Sequence, residues 1–472
     1  MEATKENIQA YISDLAKRSR IAQRKFEREY TTQRKVDEVV RVVGMAVLKH
    51  MDEISQLAVA ESHMGTVPEE QFKCMSVASA NWNFLRGKPS VGEVANIRPD
   101  EPGVRVLAKP LGIVGCVMPS TNPTGTVIGN GMIAIKARNS VIIAPHPMTA
   151  KTSYTMTNFI REGLREIGAP EDLILCIEPE MCSIDATSAM LKACDANIGT
   201  GGPGMVKAVY SCGKPGFGVG QGNCQVLLDE DFPAFGNACT AIVANRNFQH
   251  GVPCTSEQTV HVPAAREEEF LQAMEAAGAY LITDPDEIAK LKELIFPQNG
   301  PINRKIVGRP IQMIAGMVGI TVPEKYQAIL IKNQVTDGSD VLGQEILAPF
   351  LRYTTYEKFE DAIETAATNL EVQGGAGHSS SIWTIHPEHI DQAAVRIPVG
   401  RFHVNQPTVG YENGLPTTVT IGCGAWGGNS VCENLQYYHL MDFTRVTVSV
   451  PNLHHFDPSD WDKFDICKAT DD

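Results

Sequence analysis

Ile113-Val114-Gly115-Cys116-Val117-Met118, then Pro119-Ser120-Thr121-Asn122-Pro123, then Thr124 to Ala137, is the stretch whose reading decides the fold. The first run is apolar without alternation, as a strand buried on both faces should be. The second is a polar turn. The third reads as a helix, with Thr124 placed as its cap. The unit repeats: Ser140 to Ala144 is a strand, Pro145-His146-Pro147 a turn and Thr149 to Ile167 a helix. Leu173 to Ile177 and Ser183 to Cys194 form the next pair. Ala196-Asn197-Ile198 then enters a glycine loop, Gly199 to Gly204, which opens the helix from Met205, and Gly216 to Leu228 returns toward the sheet. Repeated βα units imply an α/β fold with a parallel sheet covered by helices on both faces. Ligands of such sheets bind beyond the carboxyl ends of the strands. That rim holds both polar turns and the glycine loop, and backbone N–H groups at a helix start there favour an anion such as a pyrophosphate.

On the N-terminal side, residues 5 to about 88 show helical periodicity and carry no chemistry that the pattern points to. Residues 92–112 alternate as a half-exposed ribbon, and Phe443 to Val450, alternating and β-prone, pairs either with that ribbon or with another subunit. On the C-terminal side a second α/β region follows. Glu267 to Gly278, Thr283 to Ile295 and Phe359 to Asn369 read as helices; Lys305 to Gly308, Ile311 to Ile314, Ala328 to Ile331 and Ile346 to Tyr353 read as strands. Gly374 to Ser379 is a loop, and the irregular stretch between Arg401 and Asn429 is long enough to be functional rather than filler.

A chain of 472 residues exceeds one core, so two or three domains are expected. The formal net charge of -14, without a long basic run, argues against a nucleic-acid partner. No apolar segment reaches about 18 residues, so no membrane span is expected, and the N-terminus lacks the layout of a secretory signal. The 12 cysteines show no CxxC pairing. That suits free thiols in a reducing compartment, hence a cytoplasmic protein with a bacterial microcompartment left open, and it argues against a metal site.

One of those cysteines stands apart. Gln249-His250-Gly251-Val252-Pro253-Cys254-Thr255-Ser256-Glu257-Gln258 puts Cys254 in a short Gly- and Pro-containing loop just before a β-branched run. A nucleophilic thiol needs both access and a rigid support. A buried, inert cysteine is the plainer reading of this loop alone.

The ordered set of a βα nucleotide rim, a downstream loop cysteine and a second α/β lobe resembles the aldehyde dehydrogenase superfamily, and within it the CoA-acylating branch. The matching stretches are Pro119 to Pro123, Ala144 to Pro147, Thr200 to Gly202, Gly218 to Asn223, Cys254 to Gln258, Gly377 to Ser379 and Trp426 to Ser430. The resemblance implies two Rossmann-like α/β lobes with a small β oligomerisation ribbon. It divides the chain into a nucleotide-binding domain (1–91 and 113–245), a catalytic domain (246–440), the ribbon (92–112 and 441–452) and a tail (453–472). Cys254 is implied as the nucleophile. Asn122 is implied as the side-chain donor to the oxyanion, beside the Cys254 backbone N–H; by its residues alone it reads equally as an Asx-type turn before Pro123. Glu345 matches the acid that holds the nicotinamide-side ribose, against the plain alternative of a surface acid. Ser120, Thr121, His146, Pro147, Thr149, Thr200, Gly201, Gly202 and Gly220 are implied to face NAD or NADP. Thr149 stands where NAD-preferring hydrolytic members carry an acid, so the choice between NAD and NADP stays open.

Gly218 stands where hydrolytic members carry the glutamate that activates water, and Val219 to Asn223 contain no acid. A thioester without that base waits for a thiol, since a CoA thiol is a better nucleophile than water near neutral pH. Coenzyme A is therefore the implied co-substrate, and an acyl-CoA the product. A hydrolytic enzyme with another base, or a nucleotide-binding scaffold that has lost catalysis, are the other readings. Arg246, His250 and Thr255 are candidates for a pocket taking a small anionic aldehyde, such as sulfoacetaldehyde or succinate semialdehyde. His378 is expected to be structural. A homodimer or homotetramer is expected.

Overall fold

The computed structural model describes residues 5–94, 103–333, 335–409 and 414–451. Part of the expected ribbon (95–102), residue 452 and the 453–472 tail lie outside them. Among the described residues no helix is long and apolar enough to cross a membrane.

The ribbon is antiparallel: β1 (Val104–Pro110) runs against β14 (Met441–Thr447), with Val104 opposite Thr447 and Pro110 opposite Met441. The late β-prone segment therefore pairs within its own chain. Its outer half is exposed from Thr444 to Thr447.

Next come five parallel strands: β2 (Ile113–Val117), β3 (Ser140–Ala144), β4 (Ile174–Cys176), β5 (Ala196–Thr200) and β6 (Gly216–Val219). Their order is β4-β3-β2-β5-β6. Successive side chains of a strand point to opposite faces. Ile113 and Val117 thus join a core with Ile8, Ile12 and Leu15 of the first helix, Lys5–Glu29. Val114 and Cys116 face the other way, against Val39, Val43 and Ile133. Helices cover both faces, which is why β2 and β3 read as unbroken apolar runs. The chain builds outward from β2 to β4, then returns to lay β5 on the other side of β2. The resulting switch point lies between β2 and β5, where open α/β sheets hold their ligands. The turn Ser120–Asn122 and the loop Thr200–Gly202 are the connections that leave it.

A second, seven-stranded parallel sheet has the order β13-β12-β7-β8-β11-β10-β9. Its strands are β7 (Cys224–Leu228), β8 (Glu257–Pro263), β9 (Ala279–Ile282), β10 (Ala328–Lys332), β11 (Phe350–Tyr356), β12 (Gly377–Trp383) and β13 (Val399–Val404). The lobes part between Val219 and Cys224. The boundary expected at 245/246 falls too late, because β7 pairs with β8 and β12, and the helix Phe235–Asn247 packs its Phe235 and Ile242 in that second core. Two expected strands are absent. Residues 305–308 form a turn closed by Gly308 at φ 67, and Ile311–Gly316 is a helix that buries Ile311, Ile314 and Ala315 at helical spacing. The strand expected from Ile346 begins only at Phe350, after Pro349, which has no N–H to give a ladder.

Candidate active site

The loop that carries Cys254 is held from three sides. Gln249, His250 and Gly251 all have positive φ, of 50, 51 and 73. Two of them carry side chains, at a cost of about 1–3 kcal/mol each that surrounding contacts must offset. Gln249 supplies many of those contacts. Its Nε2 donates to Glu70 Oε2 at 2.6 Å, its backbone N–H to Glu69 Oε1 at 3.1 Å, and its Oε1 accepts from Lys73 Nζ at 3.2 Å. Glu69, Glu70 and Lys73 lie on the helix Val67–Leu85, in the N-terminal region whose helical pattern carries no motif of its own. His250 Nδ1 lies 3.1 Å from the Gly308 carbonyl. Arg246 is fully buried and donates to the carbonyls of Ile346 and Ala348.

Arg246 therefore does not face a substrate pocket, which corrects that expectation. It lies on the inward side of its helix, and its guanidinium fastens the segment before β11. His250 is likewise turned to backbone. Arg246→Met is expected to lower stability by about 3 kcal/mol, combining lost packing with two buried carbonyls left unpaired. A lower midpoint of urea unfolding is the readout; an arginine facing an open pocket would leave the midpoint unchanged.

Beside Cys254 stands a residue whose role the sequence did not reveal. His378 Nε2, at the start of β12, lies 3.2 Å from Cys254 Sγ. Both groups are held neutral. Burial pushes the Cys254 thiol up to about 12, helped by the nearby Glu345 carboxylate. Burial pushes His378 down to about 3, helped by the Arg401 guanidinium. The His378 Nδ1 is buried without a hydrogen-bond partner. With the ring proton on Nδ1, Nε2 is free to accept the thiol proton.

Gly222 closes the other side. Its N–H donates to Glu345 Oε1 at 2.9 Å, and an added Cβ would stand 1.9 Å from the Cys254 carbonyl oxygen. Burial raises the Glu345 carboxyl to about 7 against the Gly222 hydrogen bond. Glu257, fully buried, accepts from Asn245 Nδ2 at 2.5 Å and from the Thr408 backbone at 3.0 Å.

On the first lobe, Asn122 rather than Thr124 caps the helix Pro123–Lys136: its Oδ1 accepts from Gly125 N at 3.1 Å. The cap and the donor reading are compatible, since anchoring the amide by its oxygen leaves Nδ2 as the outward donor. Thr124 Oγ1 instead donates to Glu70, tying the Asn122 turn to the nucleophile loop through Gln249. Ser120 and Thr121 are half-buried in the same turn.

The crevice between β2 and β5 fits a dinucleotide. Thr200 Oγ1 is a buried oxygen without a partner, and a Cβ on Gly202 or Gly220 would meet nothing within 4 Å. Pro147 is exposed, and His146 Nδ1 accepts from Met148 N at 3.2 Å. Burial and the nearby Arg304 lower the His146 pKa, keeping the ring neutral. Thr149 is buried with its Oγ1 unpaired. An acid from another element reaches the start of the helix that follows Thr149. Glu61 accepts from Lys151 N at 3.0 Å, Thr152 N at 2.8 Å and Thr152 Oγ1 at 2.6 Å, capping the helix Ala150–Glu166.

Two cavities border this region. One, of about 620 Å³, lies between the helix Pro203–Ser211 and the second lobe, lined by Lys207, Tyr210, Gly220 and Trp426 among others. The other, of about 220 Å³, is lined by Thr255 and Ser379, the residues that follow Cys254 and His378, and by Lys73, Arg401 and His403. Of the three residues proposed from sequence for the substrate pocket, Thr255 lines this cavity and Arg246 and His250 do not.

Comparison with known proteins agrees with this geometry. A model of the aldehyde dehydrogenase family matches residues 2–425. The chain is 37% identical to a succinate-semialdehyde dehydrogenase (acetylating) of Clostridium kluyveri, over 92% of this chain and 95% of that one. It is 32% identical to a sulfoacetaldehyde dehydrogenase of an Acholeplasma species, over 92% and 90%. An acetylating aldehyde dehydrogenase of Geobacillus thermoglucosidasius superposes with a TM-score of 0.90 at 31% identity, covering 96% of this chain and 99% of that one. With its two parallel sheets, its ribbon and a loop cysteine between the lobes, the chain belongs to the aldehyde dehydrogenase family.

Proposed function

We propose that the protein is a CoA-acylating aldehyde dehydrogenase, which oxidises a small aldehyde with NAD or NADP and passes the acyl group to coenzyme A. The observation that carries this reading is at Gly218. Its N–H donates to the Tyr210 hydroxyl oxygen at 2.8 Å, and the Tyr210 ring and Val206 fill the space where a side chain at 218 would begin, at 2.7 and 2.8 Å. The position is built without a carboxylate. Glu345, which acts on the Cys254 thiol, and Glu257, three residues beyond that cysteine, are engaged with Gly222 and with Asn245 and Thr408 respectively. The acylating relatives support the same reading.

In this mechanism Cys254 Sγ gives its proton to His378 Nε2 and attacks the aldehyde carbon. The transfer creates two charges that face each other, which offsets part of the cost of forming them in a buried site. Asn122 Nδ2 and the Cys254 backbone N–H stabilise the oxyanion, a contribution of about 10²–10³-fold per donor. Bound nicotinamide supplies the acceptor for the hydride, and Thr200, Gly201, Gly202 and Glu345 are the residues that would hold that cofactor. A thioester remains on Cys254. His378 releases the first proton to solvent; the CoA thiol then attacks the thioester, losing its proton to His378, and the Cys254 thiolate leaves and takes that proton back. The sum is aldehyde, CoA thiol and NAD(P)⁺ going to acyl-CoA, NAD(P)H and a proton. The exposed β1–β14 ribbon supports assembly into at least a dimer.

The test is NAD(P)H formation from a panel of small aldehydes with and without CoA, using each cofactor in turn. Turnover that requires CoA is the expected result. Equal turnover without CoA, giving free acid, would mean that another group activates water.

A further inference from the structure

The 220 Å³ cavity beside Cys254 has an unusual wall. Ligand sites for drug-sized molecules run to about 300–1,000 Å³; this one is smaller, and among the described residues its wall sets Lys73, Arg401 and His403 beside apolar groups such as Val77, Leu415 and Ile421, with no Asp or Glu. The three cationic or basic groups are not equivalent. Lys73 is paired with Glu70 at 2.6 Å and also bonds Gln249, which leaves one ammonium N–H unused. Arg401 is buried, and its guanidinium donates to Ser379 Oγ and to the carbonyls of Gly377, His378 and Gly422. Among the described residues no carboxylate pairs with it, so its charge is unbalanced in a low-dielectric wall. The His403 ring has no hydrogen-bond partner among the described residues. Thr255, Thr417 and Ser76 add hydroxyl groups. A buried cation without a counter-ion is costly, and an anion entering this cavity would relieve it.

We infer that the cavity selects short aldehydes whose far end carries an anion, a carboxylate or a sulfonate, and that Lys73, His403 and Arg401 recognise that end. Arg401 acts chiefly through its field, because four of its five N–H groups are committed to the protein. Lys73 and His403 have donors left to contact the anion. The inference rests on the reading of Cys254 as the residue that attacks the aldehyde.

The test compares, with saturating CoA, succinate semialdehyde against its neutral amide and sulfoacetaldehyde against propionaldehyde. The wild-type protein is expected to prefer the charged member of each pair by at least about ten-fold in kcat/KM, a modest return for a cation within a few ångströms. Lys73→Met and His403→Phe are expected to lower that ratio. Comparing the two pairs distinguishes a carboxylate from a sulfonate site. A second measurement needs no turnover: succinate and ethanesulfonate should slow alkylation of Cys254 by iodoacetamide, and succinamide should not. Equal kcat/KM within both pairs, together with no protection by either anion, would overturn the inference. If no aldehyde is turned over with CoA, the acylating reading falls, and the protection assay still decides whether the cavity takes an anion.

Discussion

Replacing His378 by Ala is expected to lower kcat/KM for aldehyde oxidation by about 10²–10⁴-fold, the range a positioned proton acceptor contributes. The Cys254 thiol is pushed up to about 12 and is therefore protonated at neutral pH. Without an acceptor at 3.2 Å its proton would have to go to water. The sign of the pH effect follows. A raised thiol pKa means that alkylation of free Cys254 by iodoacetamide should climb throughout the range from pH 6 to 9 without reaching a plateau. His378→Gln separates chemistry from placement, since a glutamine can hold the sulfur by a hydrogen bond but cannot take its proton. Restoration of full activity by Gln would reduce His378 to a positioning residue. Full activity in the Ala variant would remove it from the mechanism altogether.

The second large effect is expected at Gly222. An alanine there would place its Cβ 1.9 Å from the Cys254 carbonyl oxygen and 3.3 Å from the Cys254 Cβ. Backbone must move, and it is the backbone of the nucleophile. The Gly222 N–H also fixes Glu345 at 2.9 Å, so Glu345 and Cys254 would shift together. A displacement of about 1 Å at a reacting centre can cost about 10²-fold in rate, and that is the loss expected for Gly222→Ala. Gly236→Ala is the control. That glycine lies in the helix Phe235–Asn247, away from the site, and its Cβ would meet nothing within 4 Å. If the Gly222 variant keeps wild-type kcat/KM, the loop is more compliant than its packing implies.

How much of this was legible beforehand follows the range of the interactions. The strand, turn and helix from Ile113 to Lys136 are written locally: an unbroken apolar run, a polar turn and a capped helix each depend on neighbours a few residues away. The cap itself was misplaced by two residues, because Asn122 and Thr124 are both good cap types and only the backbone decides between them. Boundaries near Pro349 and Gly308 were missed for a similar reason, as β-branched runs on either side read as strands until the chain must turn. Cys254 stands out through the ordered motifs of the family resemblance, since its loop alone reads more plainly as holding a buried, inert thiol. His378 reads as structural in the sequence because nothing near Gly377 or Ser379 marks its ring as facing a thiol in another part of the chain.

By itself, then, the sequence determined the βα order, the ribbon strands and the absence of an acid at Gly218, since each is a property of residue type and short-range pattern, while the family resemblance singled out Cys254 as the candidate nucleophile. The tertiary structure alone decided which side chains converge. The helix Val67–Leu85 carries Glu70 and Lys73 to the nucleophile loop, Glu61 reaches the start of the helix Ala150–Glu166, and β12 and β13 bring His378 and Arg401 beside Cys254. It also turned Arg246 inward. A helix pattern gives the spacing of side chains, but which of them meets protein and which meets open space depends on the element packed against it.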